Sequence, residues 1–275
     1  MSNLLTAPVL IREEGDAGRS TPAAFSGGAI ISALGGLIGL GGAEFRLRLL
    51  ISTFRFGALQ AVILKAMSLV VVASALPFRA TAVPFISVAA HWPIIVNLLA
   101  GSLLGAWFGA SWATRLASQT LHRVIAGLLL GIAVVLALGH DAAATGAMLT
   151  GSAQMVAGVT AGFIIGIVAA LLGVAGGELL IPTLVLLFGA DIKLAGSLSL
   201  AVSLPTMLVG FAHYSRDRSF LVLAENRRFM LVMAAGSIFG SFIGGRLLGL
   251  VPNAVLLPLL AIILVLSAVK VWRHG

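Results

Sequence analysis

The stretch Gly39-Leu40-Gly41-Gly42-Ala43-Glu44 ends a long apolar run, and a second version, Gly173-Val174-Ala175-Gly176-Gly177-Glu178, ends another. The second begins 134 residues after the first (173 − 39), about half the chain. Apolar sequence flanks both copies, which places them at membrane depth rather than in a surface loop. Glycines clustered beside a carboxylate do not suit a uniform lipid-facing helix, but they suit the ends of broken helices. The first N–H groups of a helix have no partner within it and attract anions. Glycine lets a ligand approach the backbone closely. The pair therefore reads as the centre of a transporter.

Hydrophobic residues make up 60% of the chain and charged residues 9%, against roughly 45–50% and about 25% in soluble domains. Apolar runs long enough to span a bilayer recur along the sequence. They are continuous rather than alternating, which specifies helices and not a barrel. The net charge of +8 comes from Lys and Arg expected in loops. That is a positive-inside signature and implies no nucleic-acid partner. The chain has no cysteine, which excludes disulfides, thiolate metal sites and persulfide chemistry.

Residues 1–22 are polar and mixed and are expected to form a cytoplasmic tail, without a cleaved signal peptide. Apolar runs follow at 24–42, 58–76, 93–113, 121–139, 154–173, 193–212, 229–251 and 254–271, with short segments at 45–56 and 178–188. A less regular stretch carrying Pro77, Pro84 and Pro93 precedes the third run. Gly101, Gly105 and Gly109 recur as Gly236, Gly240 and Gly244, a spacing that lets membrane helices pack closely. Arg115, Arg123, Arg216, Arg218, Arg227, Arg228, Lys270 and Arg273 mark cytoplasmic segments, while 139–152 has no Lys or Arg. The expected fold is an all-α integral membrane protein with about eight transmembrane helices, two short broken or re-entrant segments and two inverted repeats. The repeats are residues 23–139 and 154–275, joined by an external linker at 140–153, with both termini cytoplasmic.

The strings Gly35-x-x-x-Gly39-x-Gly41-Gly42 and Gly173-x-x-Gly176-Gly177-Glu178-x-x-x-Pro182 resemble the duplicated motif of the TauE/SafE sulfite exporter family. So do Phe188-Gly189-Ala190 and Ala195-Gly196-Ser197-Leu198-Ser199-Leu200. The second copy matches best; in the first, Arg48 stands where the second has Pro182. The resemblance runs from about residue 24 to near the end of the chain. It implies a transporter that moves sulfite, sulfonates or related organic acids across the bacterial inner membrane.

The candidate substrate-binding residues are the glycines Gly39, Gly41, Gly42, Gly173, Gly176 and Gly177, with Pro182 and the polar groups around them. Glu44 and Glu178 hold equivalent places, each at the start of a short segment. Each either stabilises a helix start through the dipole or takes up a proton beside the substrate path. Lys65 lies inside an apolar run. Aligning Ser68 with Ser199 sets it against Gly196, so it has no charged counterpart. It is read as an inward-facing cation that balances an anion or pairs with Glu44. Arg46 and Arg48 could share that task or form an interfacial cluster with Arg55. Ser197 and Ser199 offer hydroxyls near the second half-site. The five histidines have no metal-ligand spacing, and no nucleotide, metal or catalytic motif is found. No cofactor is expected, and an enzyme is not. The expected partners are the bilayer, a small anion and, as one option for coupling, protons. A passive anion channel and a non-transporting membrane assembly partner or enzyme are the competing classes.

Overall fold

A computed structural model describes residues 21–41, 61–112, 127, 130, 149–172, 176–214 and 227–274. Among them are nine α-helices. These are α1 (Thr21–Ile38), α2 (Ala61–Arg79), α3 (Phe85–Ala90), α4 (Trp92–Trp112), α5 (Gly151–Leu172), α6 (Gly177–Phe188), α7 (Ile192–Tyr214), α8 (Arg227–Leu250) and α9 (Asn253–His274). Five of them, α1, α4, α5, α7 and α8, are long and apolar enough to cross a membrane. Their outward faces are apolar: Leu104, Trp107 and Phe108 on α4 and Leu231, Phe239 and Phe242 on α8 are exposed. In water such surface would drive association; beside lipid it meets a matching solvent. The expected segments at 45–56 and 121–139 lie outside the described residues.

The helices depart from the sequence expectation mainly at prolines. α2 continues through Pro77 to Arg79, and α4 begins with Pro93 in its first turn, the position a proline suits. The expected irregular stretch shrinks to a short connection holding α3. α1 stops at Ile38 rather than running to Gly42, because Gly39 takes a left-handed conformation with φ 97°. Such a residue ends a helix, and glycine adopts it without steric cost.

Two helix pairs form the scaffold, and glycines set both. A Cβ on Gly101 or Gly105 of α4 would overlap the carbonyl oxygens of Val159 and Phe163 on α5, and one on Gly109 would crowd Ile167. A Cβ on Gly236, Gly240 or Gly244 of α8 would overlap those of Phe25, Ala29 and Ala33 on α1. In both pairs the residue numbers ascend together, so α4 runs parallel to α5 and α1 runs parallel to α8. Only glycine permits backbones this close.

α6 lies inside this frame. Gln154 on α5 donates to the carbonyl of Leu187 over 2.9 Å, which puts the end of α6 beside the start of α5. α6 thus folds back antiparallel along α5. Its Leu179, Leu180, Ile181 and Leu184 are buried with Leu198 and Val202 of α7 and Leu256, Leu260 and Leu264 of α9. α7 follows after a short turn. Asp191 accepts the backbone N–H of Lys193 over 3.0 Å and also bonds the Asn253 amide, tying the starts of α7 and α9 together.

Candidate functional site

The end of α1 runs into the middle of the molecule and meets α7 and α6 there. The Gly39 and Leu40 N–H groups both donate to the Gly35 carbonyl, over 2.8 and 3.1 Å. Gly39 then presses on α7: a Cβ on Gly39 would overlap the backbone of Gly196, and one on Gly196 would overlap the Ile38 carbonyl. The Ser199 hydroxyl donates to the Gly39 carbonyl over 2.9 Å. A Cβ on Gly177 would sit 3.2 Å from the same carbonyl oxygen. Three residues expected at the site from the sequence, Gly39, Gly177 and Ser199, are therefore in direct contact across the two halves of the chain.

α6 begins at this junction. Gly176 precedes it in a left-handed conformation, φ 70°, and as a glycine offers no side-chain cap to the helix start. Glu178 occupies the first turn and is 7% exposed. A carboxylate there interacts favourably with the positive end of the helix. Pro182 lies within α6, buried, where its ring fixes the backbone but removes one donor. Gly41 is buried just beyond the end of α1. Gly42, Glu44, Arg46, Arg48 and Gly173 lie outside the described residues. Lys65 falls in the second turn of α2.

The sequence reading passed over Arg79, the last residue of α2. It is fully buried. Its Nη1 donates to the carbonyls of Gly36 and Leu37 over 2.7 and 2.8 Å. Those belong to the last turn of α1, where carbonyls have no partner within the helix. Its Nη2 donates to the Lys193 carbonyl over 2.7 Å, and its Nε donates to the Ser197 hydroxyl over 3.0 Å. Ser197 in turn donates to the Lys193 carbonyl over 3.3 Å. One guanidinium thus ties the end of α2 to the broken end of α1 and the first turns of α7. The planar fork of Arg supplies several fixed donors at once, which Lys cannot. The signal available in sequence was an arginine in Leu76-Pro77-Phe78-Arg79-Ala80, between apolar neighbours. The prolines around it made the stretch read as less regular, outside the helices.

Further polar groups line α7. Thr206 shares a hydrogen bond of 3.0 Å with Ser102 of α4 and donates to its own helix at Val202. Ser197, Ser199, Ser203 and Thr206 are all buried. Among the described residues no group of three His, Cys, Asp or Glu could hold a metal ion. The arrangement brings together the N–H end of α6, the carbonyl end of α1, buried hydroxyls and a buried guanidinium; of these, the N–H end of α6 and the guanidinium carry the positive charge that favours an anion.

No significant match to the chain was found among curated proteins or among solved structures. The model of the family described as Sulfite exporter TauE/SafE matches residues 24–271. That span takes in every helix described above except the first turn of α1 and the last residues of α9. The chain belongs to the TauE/SafE sulfite exporter family.

Proposed function

We propose that this protein is a secondary transporter that exports small anions, such as sulfite, sulfonates or related organic acids, across the bacterial inner membrane. The observation that carries the reading is the meeting of α1's broken end, α6's start and α7 at Gly39, Gly177 and Ser199. Backbone N–H groups at the start of α6 and nearby hydroxyls are chemistry suited to an oxyanion. Gly39, Gly41, Gly42, Gly173, Gly176, Gly177, Pro182, Ser197 and Ser199 form the surroundings of the substrate in this reading. Lys65, Arg46 and Arg48 supply positive charge.

Two inverted repeats are part of the proposal. The matched parallel contacts of α4 with α5 and of α1 with α8 support it. Parallel α4 and α5 support the expected span at 121–139 between them. The antiparallel return of α6 along α5 supports a re-entrant segment. With the arginine-bearing segments inside, both termini are cytoplasmic and residues 139–152 external.

Protons are the proposed coupling ion, with Glu44 or Glu178 as the carrier. Burial of Glu178 at the junction supports that part. The test is sulfite flux in proteoliposomes with and without a pH gradient. Saturable uptake with counterflow is expected, and Glu178→Gln or Glu44→Gln should keep exchange but lose its pH dependence. Flux that never saturates would indicate a channel. An unchanged pH profile in both variants would remove the glutamates from coupling.

A further inference from the structure

Arg79 poses a question that the transport reading does not answer. Its four acceptors are three backbone carbonyls and one hydroxyl, none with a formal charge. Among the described residues no carboxylate pairs with it. The carbonyl end of α1 offsets part of the charge, at most about half a unit. A guanidinium held by neutral groups keeps most of its field, and that field reaches further in a buried setting than in water.

The charge is also well placed. A Cβ on Gly196 would lie 2.5 Å from Arg79 Nη2 and would overlap the Ile38 carbonyl on its other contact. The guanidinium therefore borders the crossing of Gly39 and Gly196. Four of the five guanidinium N–H donors are committed to protein oxygens. A group so committed acts through its field rather than as a direct ligand.

We infer that Arg79 is a specificity-determining residue, a fixed positive charge that favours anions at the adjoining junction of Gly39, Gly177 and Ser199 without itself binding them. The inference rests on the anion-transport reading. It also differs from a purely structural role for Arg79, in which only the clamp between α1, α2 and α7 would matter.

The test separates charge from clamp with sulfite uptake in proteoliposomes, normalised to folded protein. Arg79→Lys keeps the charge and should hold the half-saturation concentration within about threefold, whereas Arg79→Gln should raise it about tenfold or more, as expected for losing a nearby charge in a partly screened site. Because either variant could fail to fold, Ser197 gives a second route. Ser197→Asp places a carboxylate against Arg79, so that the arginine stays in place while the net charge beside the junction falls to zero. Ser197→Asn fills the same volume without charge. Half-saturation for S197D should exceed that for S197N about tenfold. A ratio near one overturns the inference. So does failure of S197D alone to fold, since a buried cation lacking a counter-ion should tolerate a carboxylate beside it. No saturable sulfite uptake by the wild type would defeat the transport reading, and the role of Arg79 with it. A normal wild type with equal Ser197 variants would defeat the role of Arg79 alone.

Discussion

The α4–α5 and α1–α8 interfaces share one backbone contact, yet their hydroxyls are treated differently. Ser102 on α4 hydrogen-bonds Thr206 of α7 over 3.0 Å. The same place on α8 is Ser237, and Ser241 stands where α4 has Ala106. Both α8 hydroxyls are fully buried with no hydrogen-bond partner among the described residues. The reason is the third helix. In the register that pairs Ser68 with Ser199, α2 has Ala75 where α7 has Thr206. The same register sets Arg79 against Gly210. Ser199 bonds the Gly39 carbonyl, while its counterpart Ser68 is buried without a partner among the described residues. Glycine spacing reproduces the scaffold in each half, and the polar differences gather on α2 and α7. Close glycine packing is common to the two interfaces, whereas the polar chemistry differs at α2 and α7, the helices packed against them.

The scaffold half of this comparison is broken most severely at the glycines. Gly105→Val and Gly240→Val each push a side chain into the carbonyl of Phe163 or Ala29. Overpacking of this kind costs about 1–3 kcal/mol, and a backbone clash belongs at or beyond the upper end. Both variants should lose most of their folded yield in detergent, judged by size-exclusion profile and thermal midpoint. A large loss in one and a mild loss in the other would show that the two interfaces are not equivalent.

The scaffold was legible in the sequence because its signals are dense. Apolar runs and glycines four apart specify helices and close contacts without knowledge of the partner. The break near Gly39 was legible too, although its position moved from Gly42 to Ile38 once the left-handed residue was located. Arg79 was not legible. Its meaning depends on the orphan carbonyls of Gly36 and Leu37 and on Lys193 and Ser197, more than a hundred residues away. Nothing local to Pro77-Phe78-Arg79 announces them. Lys65, set inside an unbroken apolar run, is a stronger local signal. The difference between Ser199, which bonds Gly39, and Ser68, which bonds nothing among the described residues, was equally hidden, since both are serines between apolar neighbours in sequence.

The Ser199–Ser68 pair sharpens the comparison at intermediate size. Ser199→Ala removes the donor to the Gly39 carbonyl, which is buried between α6 and α7. Leaving such a group unsatisfied costs about 1–2 kcal/mol. Ser68→Ala removes a hydroxyl that has no partner and should leave stability unchanged or slightly raised. Thermal midpoints of the two purified variants check this. Equal losses would mean that Ser68 has a bond in the working protein and that the two halves are more alike than they look.

The smallest effects are expected where the comparison began, and their sign matters more than their size. Ser102→Ala breaks the bond to Thr206, but Thr206 keeps its donation to Val202 at 2.9 Å. Interhelical hydrogen bonds within membrane proteins average about 0.6 kcal/mol, so the loss should be of that order. Ser237→Ala and Ser241→Ala run the other way. Each hydroxyl is buried without a partner, so the folded protein bears a desolvation cost that alanine abolishes. The volume removed is one oxygen, too small to leave a cavity of consequence. Both variants should therefore melt at or slightly above the wild-type temperature, while Ser102→Ala melts below it. If Ser237→Ala or Ser241→Ala lowers the midpoint as Ser102→Ala does, the α8 hydroxyls are bonded in the bilayer, and the polar contrast between the two interfaces disappears.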